Sequence, residues 1–221
     1  MAYILNNQNI ASWRSVNHNR PWYEKALSLF PAAEKFSAVD LGSGAGEFSQ
    51  IIKPLVKTLT CVDFSAQYVN QLKKIGLKAI KADLNQKLPF RSGEFDLAVS
   101  LEVIEHLFNS DLFLSAIHRV LKPRGYLIIS TPNIAWWGYR LEAILGRPPK
   151  KTGYHLRFFT YHSFIKLLED NGFKVIKSAG FSTIPLFNRL LLWLKIKPVY
   201  PVFKFWPNLL VQNLVFLCQK K

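Results

Sequence analysis

The sequence predicts an α/β fold in which crossover helices connect the strands of a parallel sheet. Three observations predict it. Short apolar runs alternate with helical patterns over residues 38–131, as strand–helix–strand units do. A glycine turn, Val39-Asp40-Leu41-Gly42-Ser43-Gly44-Ala45-Gly46, links the first such run to a helix. Phe95–Val103 is mostly apolar, as a strand covered on both faces should be.

The elements follow in order. Ala38–Gly42 is a strand and Glu47–Val56 the helix after it. Thr58–Phe64 and Gln67–Ile75 repeat the unit, and Lys78–Leu84 is a third strand. Phe95–Val103 is the fourth strand. Asp111–Val120 is a helix with an acid near its start, where the dipole favours one. Pro123-Arg124-Gly125 is a turn into the fifth strand, Tyr126–Thr131. Pro132–Gly153 reads as irregular or partly helical. Tyr161–Asn171 is a helix closed by Gly172. Phe173–Ser178 is a sixth strand and Leu209–Cys218 a last one.

At 221 residues and 49% apolar content the chain suits one well-buried domain rather than disorder. Cys61 and Cys218 lie in apolar runs and read as buried free thiols. The start shows no basic stretch followed by a long apolar one, so the expected compartment is the cytoplasm. The net charge of +15 is lopsided: residues 1–110 hold 12 Lys and Arg against 10 Asp and Glu, whereas residues 111–221 hold 17 against 4. Such a basic half suits nucleic acid, an anionic membrane surface or a phosphorylated substrate, or is a solvated face.

A glycine turn alone is weak evidence, because several nucleotides bind against one. Two carboxylates sharpen it. Asp40 ends a buried strand, where an acid needs hydrogen bonds from loop amides or from a ligand ammonium group. Asp63 ends the second strand, where it is placed to accept from both ribose hydroxyls of an adenosine, with Phe64 beside it for the adenine ring.

Asp40-Leu-Gly-Ser-Gly-Ala-Gly46 resembles the first motif of the class I S-adenosylmethionine-dependent methyltransferases. Val62-Asp63 resembles their second and Ala82-Asp83-Leu84 their third. Phe95–Leu107 resembles the fourth-strand motif and Val120–Ser130 the fifth, with Pro123-Arg124-Gly125 in place of the usual Pro-Gly-Gly. The five stand in family order and span about residues 35–132. The resemblance implies a Rossmann-like, seven-stranded, mostly parallel sheet with an antiparallel last strand and helices on both faces. It implies S-adenosyl-L-methionine as cofactor, held by Asp40, Gly42, Ser43, Gly44, Gly46, Asp63, Phe64, Asp83, Leu84, Leu101 and Glu102. Trp13–Tyr23 resembles the helical lid, from which Arg20 or Arg14 would reach the methionyl carboxylate. The whole chain then reads as a single domain: lid 1–34, cofactor-binding core 35–132 and substrate-side region 133–221, with a basic aromatic insert at 183–207.

A hydroxyl acceptor benefits from a base. His155, in Gly153-Tyr-His-Leu-Arg-Phe-Phe-Thr160, and His106 are the candidate catalytic residues, each with a structural role as the alternative. Arg157 reads as an anchor for an anionic group or as a surface residue. The spacing Glu102-x-x-Glu105-His106 gathers three metal-ligating types. It resembles a stretch of the ubiquinone-biosynthesis O-methyltransferases, some of which use a divalent cation there. Many relatives that need no metal carry the same stretch, so no metal is assigned from the sequence. Residues 183–207 mix aromatic and basic residues, which suits a membrane interface, a pocket lid or a dimer interface.

The expected function is methyl transfer to a small-molecule or lipid-linked acceptor, O-methylation favoured, by an enzyme that is cytoplasmic or peripheral on the inner face of a membrane. An RNA methyltransferase is the alternative, favoured by the basic half and disfavoured by the lack of an N/D-P-P-Y/F tetrapeptide after the fourth strand. A non-catalytic cofactor-binding protein is another. A dehydrogenase is disfavoured because residues 42–47 do not read G-x-G-x-x-G.

Overall fold

The computed structural model describes residues 20–148, 155–183, 191, 193–194, 200 and 205–221. Seven strands form one sheet: β1 (Ser37–Leu41), β2 (Thr58–Asp63), β3 (Lys78–Lys81), β4 (Phe95–Leu101), β5 (Leu121–Pro132), β6 (Phe173–Phe181) and β7 (Asn213–Lys220). Their order is β3-β2-β1-β4-β5-β7-β6. The first five pair in parallel, and β7 runs antiparallel to both neighbours, as expected.

The pleat divides the core in two. In β5, Leu127 and Ile129 face one apolar layer and Ile128 the other; in β7, Phe216 and Leu217 divide the same way. The first layer is completed by Phe113 and Ile117 of α4 (Ser110–Val120) and by Phe164 and Leu168 of α6 (Tyr161–Asp170). The second holds Tyr23 and Ala26 of α1 (Pro21–Ser28), Phe48 and Ile52 of α2 (Glu47–Ile52), and Val69 and Leu72 of α3 (Ala66–Lys74). Helices therefore cover both faces. Among the described residues there are also α5 (Trp137–Ile144) and α7 (Pro207–Leu210).

Several sequence expectations shift, each for a local reason. The helix expected to reach Val56 stops at Ile52 and tightens into a 3₁₀ turn, Lys53–Leu55, because Pro54 has no N–H to continue the ladder. The expected turn at Pro123-Arg124-Gly125 lies inside β5. Pairing with β4 continues on both sides of it through an irregularity, and Arg124 takes φ +60°. The last strand begins at Asn213, not Leu209. Pro207 opens the short α7 instead, and the Asn133 amide donates to the carbonyls of Pro207, Asn208 and Val211. Strand β6 runs on to Phe181, beyond the expected end at Ser178. Both cysteines are buried free thiols.

The strand order reverses between β1 and β4. A crevice opens at such a point beyond the carboxyl ends of the strands, and ligands bind there. The glycine turn follows β1, and the Glu102–His106 stretch follows β4.

Candidate active site

Three glycines of the turn have positive φ, and they are glycine for two different reasons. A Cβ on Gly42 would lie 2.4 Å from Val103, and one on Gly46 would lie 2.4 Å from Leu72 of α3. These two let the turn pack against its surroundings. A Cβ on Gly44 meets nothing within 4 Å. Gly44 thus borders open space, as a cradle for a ligand requires. We expect Gly42→Ala to lower the melting temperature clearly more than Gly44→Ala, since both carry the strain of positive φ, about 1–2 kcal/mol, but only the first adds a clash. Thermal melts of the two variants check this.

Ser43 faces the protein. Its hydroxyl donates to the Asp40 carbonyl at 2.7 Å and accepts from Val62 N–H at 3.1 Å, pinning the turn to β2. Asp40 is buried, and its carboxylate accepts from the Ser49 hydroxyl at 2.5 Å. That donor comes from α2, where loop amides or a ligand were expected. Burial pushes the Asp40 pKa up to about 6, with the Ser49 hydrogen bond opposing and the negative Asp63 adding. The folded state therefore binds the proton more tightly than the unfolded chain, and stability falls as pH rises from the ordinary value, 3.8, to about 6. At pH 7 the ionised carboxylate costs the ligand-free fold about 3 kcal/mol. Asp40→Asn should raise the melting temperature at pH 7 by several degrees and flatten that slope. Melts of both proteins at pH 4 and pH 7 check it.

Asp63 is tied to both sides of the crevice. Its Oδ2 accepts from Gly44 N–H and its Oδ1 from Ser65 N–H, each at 2.8 Å. Phe64 beside it is 67% exposed. Asp83 closes a turn by accepting from the Asn85 backbone and side chain, and Ala82 N–H donates to the Asp63 carbonyl. Leu84 is buried in the core and Leu101 half-buried at the end of β4. Arg20 pairs with Glu47 of α2 at 3.1 Å and donates to the Tyr23 hydroxyl. It therefore stands beside the glycine turn. Trp22 stacks on Phe181 and Tyr23 packs on Phe48, so these rings belong to the core. Arg14 and Trp13 lie outside the described residues, as do Gly153 and Tyr154.

Beyond β4 the E-x-x-E-H stretch splits. Glu102 has φ +57° and its carboxylate turns across the sheet. Ser130 of β5 donates to Oε1 at 2.8 Å and Asn213 of β7 to Oε2 at 2.7 Å. Glu105 and His106 form a 3₁₀ turn, Ile104–His106, and Glu105 is buried with Thr131 Oγ1 3.3 Å from Oε2. The expected gathering of all three on one helical turn therefore fails, because the strained backbone at Glu102 re-aims its side chain.

His155 arrives from elsewhere in the chain. Leu156 and Arg157 N–H both donate to the Glu105 carbonyl, at 2.8 and 3.0 Å, and Ile134 N–H donates to the Phe159 carbonyl. These bonds clamp residues 155–159 over the turn. The rings of His106 and His155 meet edge to face with centroids 4.7 Å apart. The two candidate catalytic histidines, 49 residues apart in sequence, are thus brought together. His155 also lines a cavity with Pro132, Ile134, Tyr139, Arg157 and Phe158. Arg157 donates to the Phe108 carbonyl. Sequence reasoning missed Thr131, Asn213 and Tyr139, since a polar residue in an apolar stretch has no periodic signal.

A family model described as "Methyltransferase domain" matches residues 16–178. The ubiquinone biosynthesis O-methyltransferase of Bartonella bacilliformis is 33% identical over 171 residues, covering 72% of this chain and 68% of that protein. A solved S-adenosylmethionine-dependent methyltransferase from Thermotoga maritima shares the fold with a TM-score of 0.71, at 21% identity, over 96% of this chain and 91% of that one. One from Mesorhizobium loti has a TM-score of 0.66 at 16% identity, over 91% and 99%.

Proposed function

Since the chain belongs to the class I S-adenosylmethionine-dependent methyltransferases, we propose that it methylates a hydroxyl oxygen on a small-molecule or lipid-linked acceptor. The observation that carries this reading is the His106–His155 pair beyond the end of β4. A hydroxyl is the acceptor that gains most from such groups, typically 10²–10⁴-fold. The O-methyltransferase similarity supports the same choice.

When bound, S-adenosylmethionine supplies a sulfonium methyl group, whose carbon–sulfur electron pair returns to sulfur as the acceptor oxygen takes the carbon. The residues present fit it. Gly44 leaves room against the backbone, and Asp63 has lone pairs beyond its two backbone bonds for ribose hydroxyls. Phe64 offers exposed apolar surface for a base. Asp40 would offset positive charge nearby, and Arg20 would exchange Glu47 for a carboxylate. The small cavity beside His155 joins apolar walls to Arg157 and Tyr139. His106 and His155 activate the acceptor hydroxyl.

A lipid-linked acceptor is supported by the substrate-side region. There Ile144, Trp193 and Trp206 are each more than 70% exposed, and the basic excess lies in the same half of the chain. Aromatic and basic residues together suit an anionic membrane surface. Among the described residues no helix is long and apolar enough to cross a membrane. The enzyme then works peripherally, on the inner face of a membrane. Tritium-methyl-labelled cofactor with a prenylated catechol, in phosphatidylglycerol vesicles, tests this. Label should pass into the organic extract and the protein should sediment with the vesicles. Label in added RNA instead, or none transferred while the cofactor product still binds, overturns the reading.

A further inference from the structure

We infer that Glu47 is a built-in competitor in the cofactor site: it holds the two donors, Arg20 and Tyr23, that receive the carboxylate of an amino-acid tail, and so sets the selectivity for ligands that carry one. The claim deepens the cofactor reading of the glycine turn and rests on it.

Three side chains close a triangle. Arg20 Nε lies 3.1 Å from Glu47 Oε2, and a terminal Arg20 nitrogen donates to the Tyr23 hydroxyl at 2.9 Å. That hydroxyl in turn donates to the same Glu47 oxygen at 3.3 Å. One carboxylate oxygen thus collects a guanidinium donor and a phenol donor. The guanidinium also stands 5.6 Å from the centroid of the Tyr23 ring, which helps to hold it.

The phenol is the fixed corner. Tyr23 is 6% exposed, and its ring packs on Phe48 of α2 with centroids 5.0 Å apart. Its hydroxyl is therefore delivered to one point. Burial pushes the Tyr23 pKa up to about 12, with Arg20 opposing and the negative Glu47 adding. The phenol keeps its proton at neutral pH and remains a donor.

The sequence position of Glu47 makes it a competitor. It follows Gly46 directly, and Gly44, two residues earlier, borders the open space of the cradle. A ligand that lies against Gly44 and brings its own carboxylate meets the donors that Glu47 holds. A guanidinium fork pairs one carboxylate well, and two carboxylates crowded on it repel each other. Glu47 therefore has to yield. It can do so at small cost, because the Arg20 and Glu47 side chains are 48% and 34% exposed and a solvated pair of this kind is weak. Glu47 thus keeps the two donors in place without closing the site. A nucleoside with no carboxylate does not displace Glu47 and gains nothing from Arg20 or Tyr23.

The test is calorimetric titration of the full chain with two ligands. S-adenosylhomocysteine carries the amino-acid tail, and methylthioadenosine lacks it. Glu47→Gln keeps an oxygen that accepts from both donors but removes the charge. It should bind S-adenosylhomocysteine about two- to fivefold more tightly than the wild type and methylthioadenosine equally. Arg20→Ala should weaken S-adenosylhomocysteine at least about tenfold, and Tyr23→Phe, which loses only the hydroxyl, about two- to tenfold, again with methylthioadenosine unchanged. Glu24→Gln removes a charge from α1 outside the triangle and should change neither affinity. Circular dichroism confirms that each variant folds. The inference is overturned if Glu47→Gln weakens S-adenosylhomocysteine or leaves it unchanged, if it tightens both ligands alike, or if Glu24→Gln has the same effect. Binding of both ligands by the wild type with no response to these substitutions removes the competitor and leaves the cofactor site. Binding of neither removes both.

Discussion

His155→Ala lowers kcat for methyl transfer by about 10²–10⁴-fold while leaving the cofactor affinity within about twofold. The expectation follows from how His155 is held. Its segment is fixed by backbone hydrogen bonds to the Glu105 carbonyl and to Ile134, none of which involves the imidazole. Removing the ring therefore leaves the segment, and with it Arg157 and the cavity wall, in place. What is lost is one of the two groups beside the acceptor. His155 is half-buried, so the cost in stability is small. The cofactor contacts lie on the glycine turn and β2, which His155 does not touch among the bonds described. Single-turnover kinetics with saturating acceptor check the rate, and calorimetry with S-adenosylhomocysteine checks the affinity. An unchanged rate would make the histidine pair structural.

Asp63→Ala raises the dissociation constant for S-adenosylhomocysteine by about 100-fold or more. Two charge-assisted hydrogen bonds to ribose hydroxyls contribute roughly 1.5–3 kcal/mol each, and losing both gives at least that factor. A second loss adds to it. Asp63 accepts from Gly44 and Ser65 N–H, so the variant also removes one of the ties between the glycine turn and β2. Asp63→Asn separates the contributions, because its single carbonyl oxygen still accepts. It should lose affinity by about tenfold, the cost of one such bond. Parallel melts show how much of the alanine effect is loosening of the turn. An alanine variant with wild-type affinity would remove Asp63 from the site.

Much of the fold was legible because its signals are local and periodic. Ala38, Val39, Leu97, Ala98 and Val99 lie in short apolar runs, and glycines 42, 44 and 46 mark a turn that only glycine makes readily. The sheet edge was less legible. An apolar run such as Leu209-Leu210-Val211 suits a strand and a short helix equally, and Pro207 decides for the helix. The site divides the same way. Asp40 and Asp63 are legible because each stands at the end of an apolar run, where a charge needs a reason. The meeting of Glu105 and His106 with His155 depends on backbone bonds between distant segments, and the exclusion of Glu102 on one backbone angle. Neither leaves a mark in composition or spacing.

The most direct test of the cofactor assignment is calorimetric titration of the unmodified chain with S-adenosylhomocysteine, with NAD as the control. Saturable one-site micromolar binding of S-adenosylhomocysteine, and none of NAD, is the predicted result. Binding of NAD, or of neither compound, would contradict the assignment of the glycine turn and Asp63 to an S-adenosylmethionine site.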